Sequence, residues 1–86
     1  MLYPIGSIVL LKGANKKLCI YGRKQIQLST NTLYDYIGCI YPEGFIDENN
    51  SYLFNHSDID TVIYEGFKNY EEVEFQNILS SIKESV

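Results

Sequence analysis

Residues 34–45 read Tyr34-Asp35-Tyr36-Ile37-Gly38-Cys39-Ile40-Tyr41-Pro42-Glu43-Gly44-Phe45, a strand that carries its own stop signal. From Leu33 onward, apolar residues fill both alternating sets: Leu33, Ile37, Cys39 and Tyr41 on one, Tyr34, Tyr36 and Ile40 on the other. Neither face of such a strand is fully wet. Asp35 interrupts the first set, so continuous burial is expected from Tyr36, with Tyr36, Ile37, Cys39 and Ile40 as core. Pro42-Glu43-Gly44 then ends the strand, because proline cannot donate to a ladder. The run holds four aromatic rings, no nucleophile beside a base and no set of metal ligands. Its residues describe a surface that binds rather than one that reacts.

Working outward, Ser7-Ile8-Val9-Leu10-Leu11-Lys12 and Lys17-Leu18-Cys19-Ile20-Tyr21-Gly22-Arg23 read as two antiparallel strands joined by a turn at Gly13-Ala14-Asn15-Lys16. Gly22 marks a bulge or a tight bend. Gln25 to Thr32 fits either an extension of the second strand or a loop. Beyond the corner, Asp47-Glu48-Asn49-Asn50-Ser51 forms a polar loop before the short apolar piece Tyr52-Leu53-Phe54. Asn55-His56-Ser57-Asp58 offers side-chain caps for a turn, and Asp60 to Glu65 reads as a last strand ended by Gly66.

The C-terminal segment has helical periodicity. Asn69 is the expected cap, Glu72 follows three residues later, and Glu71, Glu72 and Glu74 place negative charge at the positive end of the dipole. Phe75, Ile78, Leu79, Ile82 and Val86 line one face, which predicts an apolar stripe packed on the sheet or offered to a second protein. The chain of 86 residues thus reads as one domain spanning 1–86, with strands within 7–65 and a helix over about 70–85. The fold class is α+β: a small curled antiparallel sheet, or an SH3-like partial barrel, of four or five strands with a C-terminal helix.

Composition fixes the broad class. With 45% hydrophobic and 21% charged residues, the chain has enough apolar surface for a packed core and lies outside disordered compositions. No apolar run approaches the roughly 20 residues needed to span a bilayer, and the start lacks the basic and long apolar stretches of a signal peptide, so a cytoplasmic location without membrane insertion is expected. Cys19 and Cys39 each sit in an apolar run and are expected to be buried and reduced; a disulfide between them requires the two strands to lie side by side in matching register.

Charge is uneven. Up to Gln27 every charged side chain is basic, and all eleven acids lie from Asp35 onward, for a net charge of −4. A nucleic-acid-binding SH3-like module using Lys16, Lys17, Arg23 and Lys24 with Tyr21 is one alternative, although phosphate-binding domains are usually strongly basic.

Catalytic readings lack their companions. Asp58 and Asp60 suit caps, His56 suits a hydrogen-bonded turn, and the Lys12–Lys17 turn has neither the glycine spacing nor the Lys-Ser/Thr ending of a phosphate loop. The expectation is no enzyme, no cofactor and no metal. Eight tyrosines supply large contact area with hydrogen-bonding tips, a composition suited to protein interfaces. Tyr34, Tyr41, Pro42, Glu43, Phe45 and Phe54 are the expected partner contacts, while Tyr21 and Tyr36 are expected in the core.

Three segments taken together, Pro4 to Gly13, Tyr34 to Phe45, and Phe54 to Asp60 continuing through Glu65-Gly66-Phe67, resemble a family of small Firmicute proteins described as a domain of unknown function, DUF4176. Genes of that family lie beside type VII secretion toxins of the LXG class. The resemblance implies a cytoplasmic accessory factor, a chaperone or targeting adaptor whose protein partner is the toxin or its small helical companions. It implies no active site, and an immunity protein for the neighbouring toxin is a further alternative that fits a small acidic domain.

Overall fold

The computed structural model describes residues 1–82. The turns read from the sequence separate five strands, β1 (Ile8–Leu11), β2 (Leu18–Gln27), β3 (Thr32–Ile40), β4 (Ser51–Phe54) and β5 (Ile59–Tyr64), which precede one helix, α1 (Tyr70–Ser80). All pairings are antiparallel, in the order β4-β3-β2-β1-β5. This is the expected α+β domain in its open form. The sheet does not close into a barrel, because β5 pairs with β1 while the four-residue β4 sits at the opposite edge.

The undecided stretch from Gln25 to Thr32 is both things at once. Strand β2 continues to Gln27, and the chain reverses through Asn31 in left-handed backbone (φ 53°) before β3 begins. Gly22 is the bulge: the β2–β3 register slips there, and a Cβ at this position would lie 2.7 Å from Ile37 Cγ2.

Val9, Leu18, Ile20, Tyr36 and Phe54 form the buried core, flanked by Leu2, Tyr3, Ile40, Ile59 and Val62. Burying each such side chain contributes on the order of 1.5–3 kcal/mol. Phe54 was expected at a partner surface and is instead only 2% exposed, its ring stacked 5.3 Å from that of Tyr36. The pairing of Phe54 with Tyr36 directs it inward. Tyr36 is at the centre of the core: its hydroxyl accepts the Tyr3 N–H at 3.0 Å and hydrogen-bonds His56 Nδ1 at 2.6 Å. Burial pushes the Tyr36 phenol up to about 12.

Polar turns are held locally, as the sequence implies. Asp47 accepts from Asn50 N–H at 3.1 Å, and Asp58 accepts from Asn55 N–H at 2.8 Å. Asp35, the one charge within the strand, accepts from His56 N–H at 2.9 Å and so fastens β3 to the turn before β5.

Helix α1 starts where expected, with Asn69 Oδ1 accepting the Glu72 N–H at 3.2 Å. It ends at Ser80 rather than near residue 85, and residues 83–86 of that expectation, including Val86, lie outside the described residues. Ser80 and Ser81 hydroxyls donate to the carbonyls of Asn77 and Ile78 at 2.9 and 2.6 Å, local bonds that compete with helix continuation.

The helix is also turned differently from its apolar stripe. Of the expected row only Leu79 is buried; Phe75, Ile78 and Ile82 are exposed. The inward line is Glu72, Gln76 and Leu79, because Arg23 on β2 is buried and needs a carboxylate. Arg23 Nη2 donates to Glu72 Oε1 at 2.9 Å, and its Nη1 bonds Glu72 Oε2. Gln76 then clamps the N-terminal segment, donating to Leu2 O at 2.7 Å and accepting from Leu2 N–H at 3.2 Å. Polar complementarity, rather than the apolar stripe, sets the helix rotation.

Candidate protein-docking surface

Side chains alternate along a strand, so the register that sends Val9, Leu18 and Ile20 into the core sends their neighbours Ile8 and Cys19 to the opposite face. There Tyr64, Ile8, Cys19, Cys39 and Ser51 form one row across all five strands. An antiparallel sheet normally turns polar residues to a wet face. This face is apolar and aromatic, and no helix among the described residues packs over it.

Tyr21, expected in the core, lies on this outer face, because the alternation that turns Leu18 and Ile20 inward turns Cys19 and Tyr21 outward. Its hydroxyl donates to Ser51 Oγ at 2.9 Å, and Phe45 meets its ring edge-on at 5.7 Å. The turn that delivers Phe45 contains a cis Tyr41–Pro42 peptide and Gly44 at φ 83°, with Gly44 N–H bonded to Ile40 O at 2.7 Å. Phe45 remains 58% exposed despite that contact. Glu43 pairs with Lys16 at 2.8 Å across the neighbouring turn, and the ammonium holds its carboxyl below the usual range.

Two shallow grooves flank the row. One, about 330 Å³, is lined by residues that include Tyr21, Tyr34, Ile37, Ser51, Tyr52 and Leu53. The other, about 540 Å³, lies between Ile8, Lys17, Tyr41, Ile63 and Tyr64. Of the expected contacts, Tyr41, Pro42, Glu43 and Phe45 therefore gather at one exposed corner, Tyr34 lines the adjoining groove half-buried, and Phe54 belongs to the core.

Ile8, Tyr21 and Tyr64 were not anticipated on this surface. Tyr64 reaches it because a register shift between Ile8 and Val9 places it opposite Ile8. That slip has no signature in the local sequence. Phe67 is likewise exposed, and Phe75 and Ile78 take the second of the two arrangements read for the helix stripe, outside rather than on the sheet.

The basic edge is largely neutralised by the protein's own acids. Arg23 is buried against Glu72, Lys16 pairs with Glu43, and Lys24 lies 3.5 Å from Asp35. Among the described residues no helix is long and apolar enough to cross a membrane.

Comparison with known proteins gives no match among curated proteins and none among solved structures. The family model described as "Domain of unknown function (DUF4176)" matches residues 2–75, a span that holds all five strands and the Arg23–Glu72 pair. The chain belongs to the DUF4176 family.

Proposed function

We propose that this domain is a non-catalytic protein-binding accessory factor that engages its partner through the outer face of the sheet. One observation carries the reading: a face that water should occupy is lined by Ile8, Tyr21, Tyr41, Phe45 and Tyr64, with Tyr64 61% exposed. Contiguous apolar patches on a small domain mark interaction sites, and tyrosine supplies area at low entropic cost. The Lys16–Glu43 pair at the rim gives a partner polar groups against which to orient.

The partner class comes from the family resemblance. It is a type VII secreted toxin of the LXG class, or one of its small helical companions, held in the cytoplasm before export. A chaperone or adaptor of this kind covers an apolar segment of its client until the secretion machinery takes it. Binding to nucleic acid is the weaker reading, since three of the four cations it requires are already engaged by carboxylates.

Co-expression with an LXG toxin and the helical proteins encoded beside it tests the proposal. The wild-type domain is expected to co-purify with one of them, and Tyr41→Ala with Phe45→Ala to lose it while melting as before. Unchanged capture by the double variant sinks this surface. Neutralised toxin activity in place of export assigns the immunity role instead.

A further inference from the structure

We propose that Cys19 and Cys39 are a dithiol modification site that forms a reversible cross-strand disulfide by exchange with a small disulfide, such as oxidised glutathione, or with a protein disulfide. The inference is independent of the docking reading. It rests on the condition the sequence leaves open: β2 and β3 are adjacent, and Cys19 and Cys39 are direct partners in their register.

Two positions further along, Tyr41 N–H bonds Lys17 O at 3.0 Å, so by the alternation of an antiparallel ladder Cys19 and Cys39 also form a hydrogen-bonded pair. Such a pair holds its Cα atoms about 5.5 Å apart, inside the roughly 4.4–6.8 Å that a disulfide spans. The Cys39 thiol already lies over its partner, donating to Cys19 O at 3.7 Å. Both thiols are free. Cβ atoms of facing residues are about 4.5–5.5 Å apart, against about 3.5–4.5 Å in a disulfide, so the strands must draw together slightly. A bond closed against that resistance is one that thiols reopen.

The two cysteines have different roles. Cys19 is half-buried and reachable, whereas Cys39 is buried. The Cys19 thiolate attacks one sulfur of the incoming disulfide, forming a mixed disulfide and releasing one thiolate. Cys39 then loses its proton and its sulfur attacks Cys19 Sγ, expelling the second thiolate. Both expelled thiolates take up the protons the cysteines gave up, so two cysteines are oxidised as one disulfide is reduced to two thiols. Burial and the neighbouring Cys39 thiol raise the Cys19 pKa, so the first step accelerates as pH rises above neutral.

The experiment incubates the folded domain with excess oxidised glutathione at mildly alkaline pH, then unfolds and alkylates it for intact-mass analysis. The wild type is expected as a monomer lighter by two hydrogens, with neither cysteine alkylated and both recovered after dithiothreitol. Cys39→Ser is expected to stop as a stable glutathione adduct on Cys19. The oxidised wild type is expected to melt several degrees higher than the reduced form. A wild type that accumulates the glutathione adduct, keeps two alkylatable thiols or crosslinks only between chains overturns the proposal. A lower melting temperature on oxidation overturns it as well, since the bond would then oppose the native register.

Discussion

Replacing Glu72 with glutamine removes one charge from a pair almost wholly out of water, with side-chain exposures of 4% for Arg23 and 10% for Glu72. Arg23 keeps the carbonyl of Tyr3 at 3.3 Å and the Phe75 ring at 5.5 Å, but no negative charge. Breaking a buried pair by removing one partner costs about 3–5 kcal/mol, and an amide that preserves part of the hydrogen bonding places Glu72→Gln near 3. A domain of 86 residues is stable by roughly 4–13 kcal/mol, so the loss is a large fraction of the total. At about 4–8 °C per kcal/mol, the melting temperature falls by about 12–24 °C. Urea and thermal unfolding followed by circular dichroism at neutral pH read both quantities.

A second variant separates charge from packing. Arg23→Met combined with Glu72→Leu removes both desolvation costs and is expected to recover most of the lost stability. The pH dependence has a definite sign. The Arg23 guanidinium holds the Glu72 carboxyl below its ordinary value of 4.5, so its contribution is complete above that value and disappears as pH falls through the folded pKa. Glu72→Gln therefore loses less on acidification than the wild type does. If it melts within about 2 °C of the wild type at neutral pH, the ion pair does not hold the helix and the account of its rotation is wrong.

Tyr36→Phe leaves the Tyr3 N–H without its acceptor and is expected to cost about 1–3 kcal/mol by urea titration; an unchanged midpoint refutes the hydroxyl's role. The raised Tyr36 phenol, from 10.0 to about 12, binds its proton more tightly in the folded state, so its contribution is complete below 10 and is lost as pH climbs toward 12. Ultraviolet titration should show a phenol ionising near pH 12 that Tyr36→Phe lacks, and identical curves for the two proteins contradict it. Gly66→Ala places a methyl group against the Ile5 carbonyl oxygen, where backbone must move, and should cost about 3 kcal/mol; a midpoint within about 0.5 kcal/mol of wild type rules out the close approach. Closing the loop between Cys19 and Cys39, 20 positions apart, should add about 3 kcal/mol less any strain, measured as the difference between oxidised and reduced unfolding curves. A negative difference overturns the cross-strand disulfide, since strain would then outweigh loop closure.

What the sequence makes legible is what short-range chemistry decides. The Gly13 turn, the proline corner, the Gly22 bulge and the Asn69 cap are each settled within a few residues, and each stands where it was read. Register and rotation are not local. Whether Cys19 faces Cys39, or Tyr64 faces Ile8, depends on bulges whose position is fixed by packing between strands distant in sequence. Phe54 was read as a partner contact, yet pairing with Tyr36 turned it inward. The helix stripe misled for a sharper reason: apolar periodicity assumes that the hydrophobic effect alone rotates a helix. A buried guanidinium outweighs it, since one unpaired internal charge costs more than leaving Phe75 and Ile78 partly wet.

That inversion bears on the docking reading. With Glu72 and Gln76 inward, the helix contributes Leu79 alone to the interior among its buried apolar residues, and the sheet's other face carries no helix among the described residues. A two-layer domain that placed Phe75, Ile78 and Ile82 inward would bury more apolar surface and gain stability from it. The Arg23 pair instead keeps those side chains outside, Phe75 sharing a groove with Phe67 and Ile5, while Tyr21, Tyr41, Phe45 and Tyr64 remain outside on the sheet. The helix-side group provides a control for the proposed surface. If the sheet face alone binds, Phe75→Ser with Ile78→Ser should improve solubility and leave capture of the toxin-locus partner intact. If capture is lost with the melting temperature unchanged, the helix is part of the interface and the sheet corner is not sufficient.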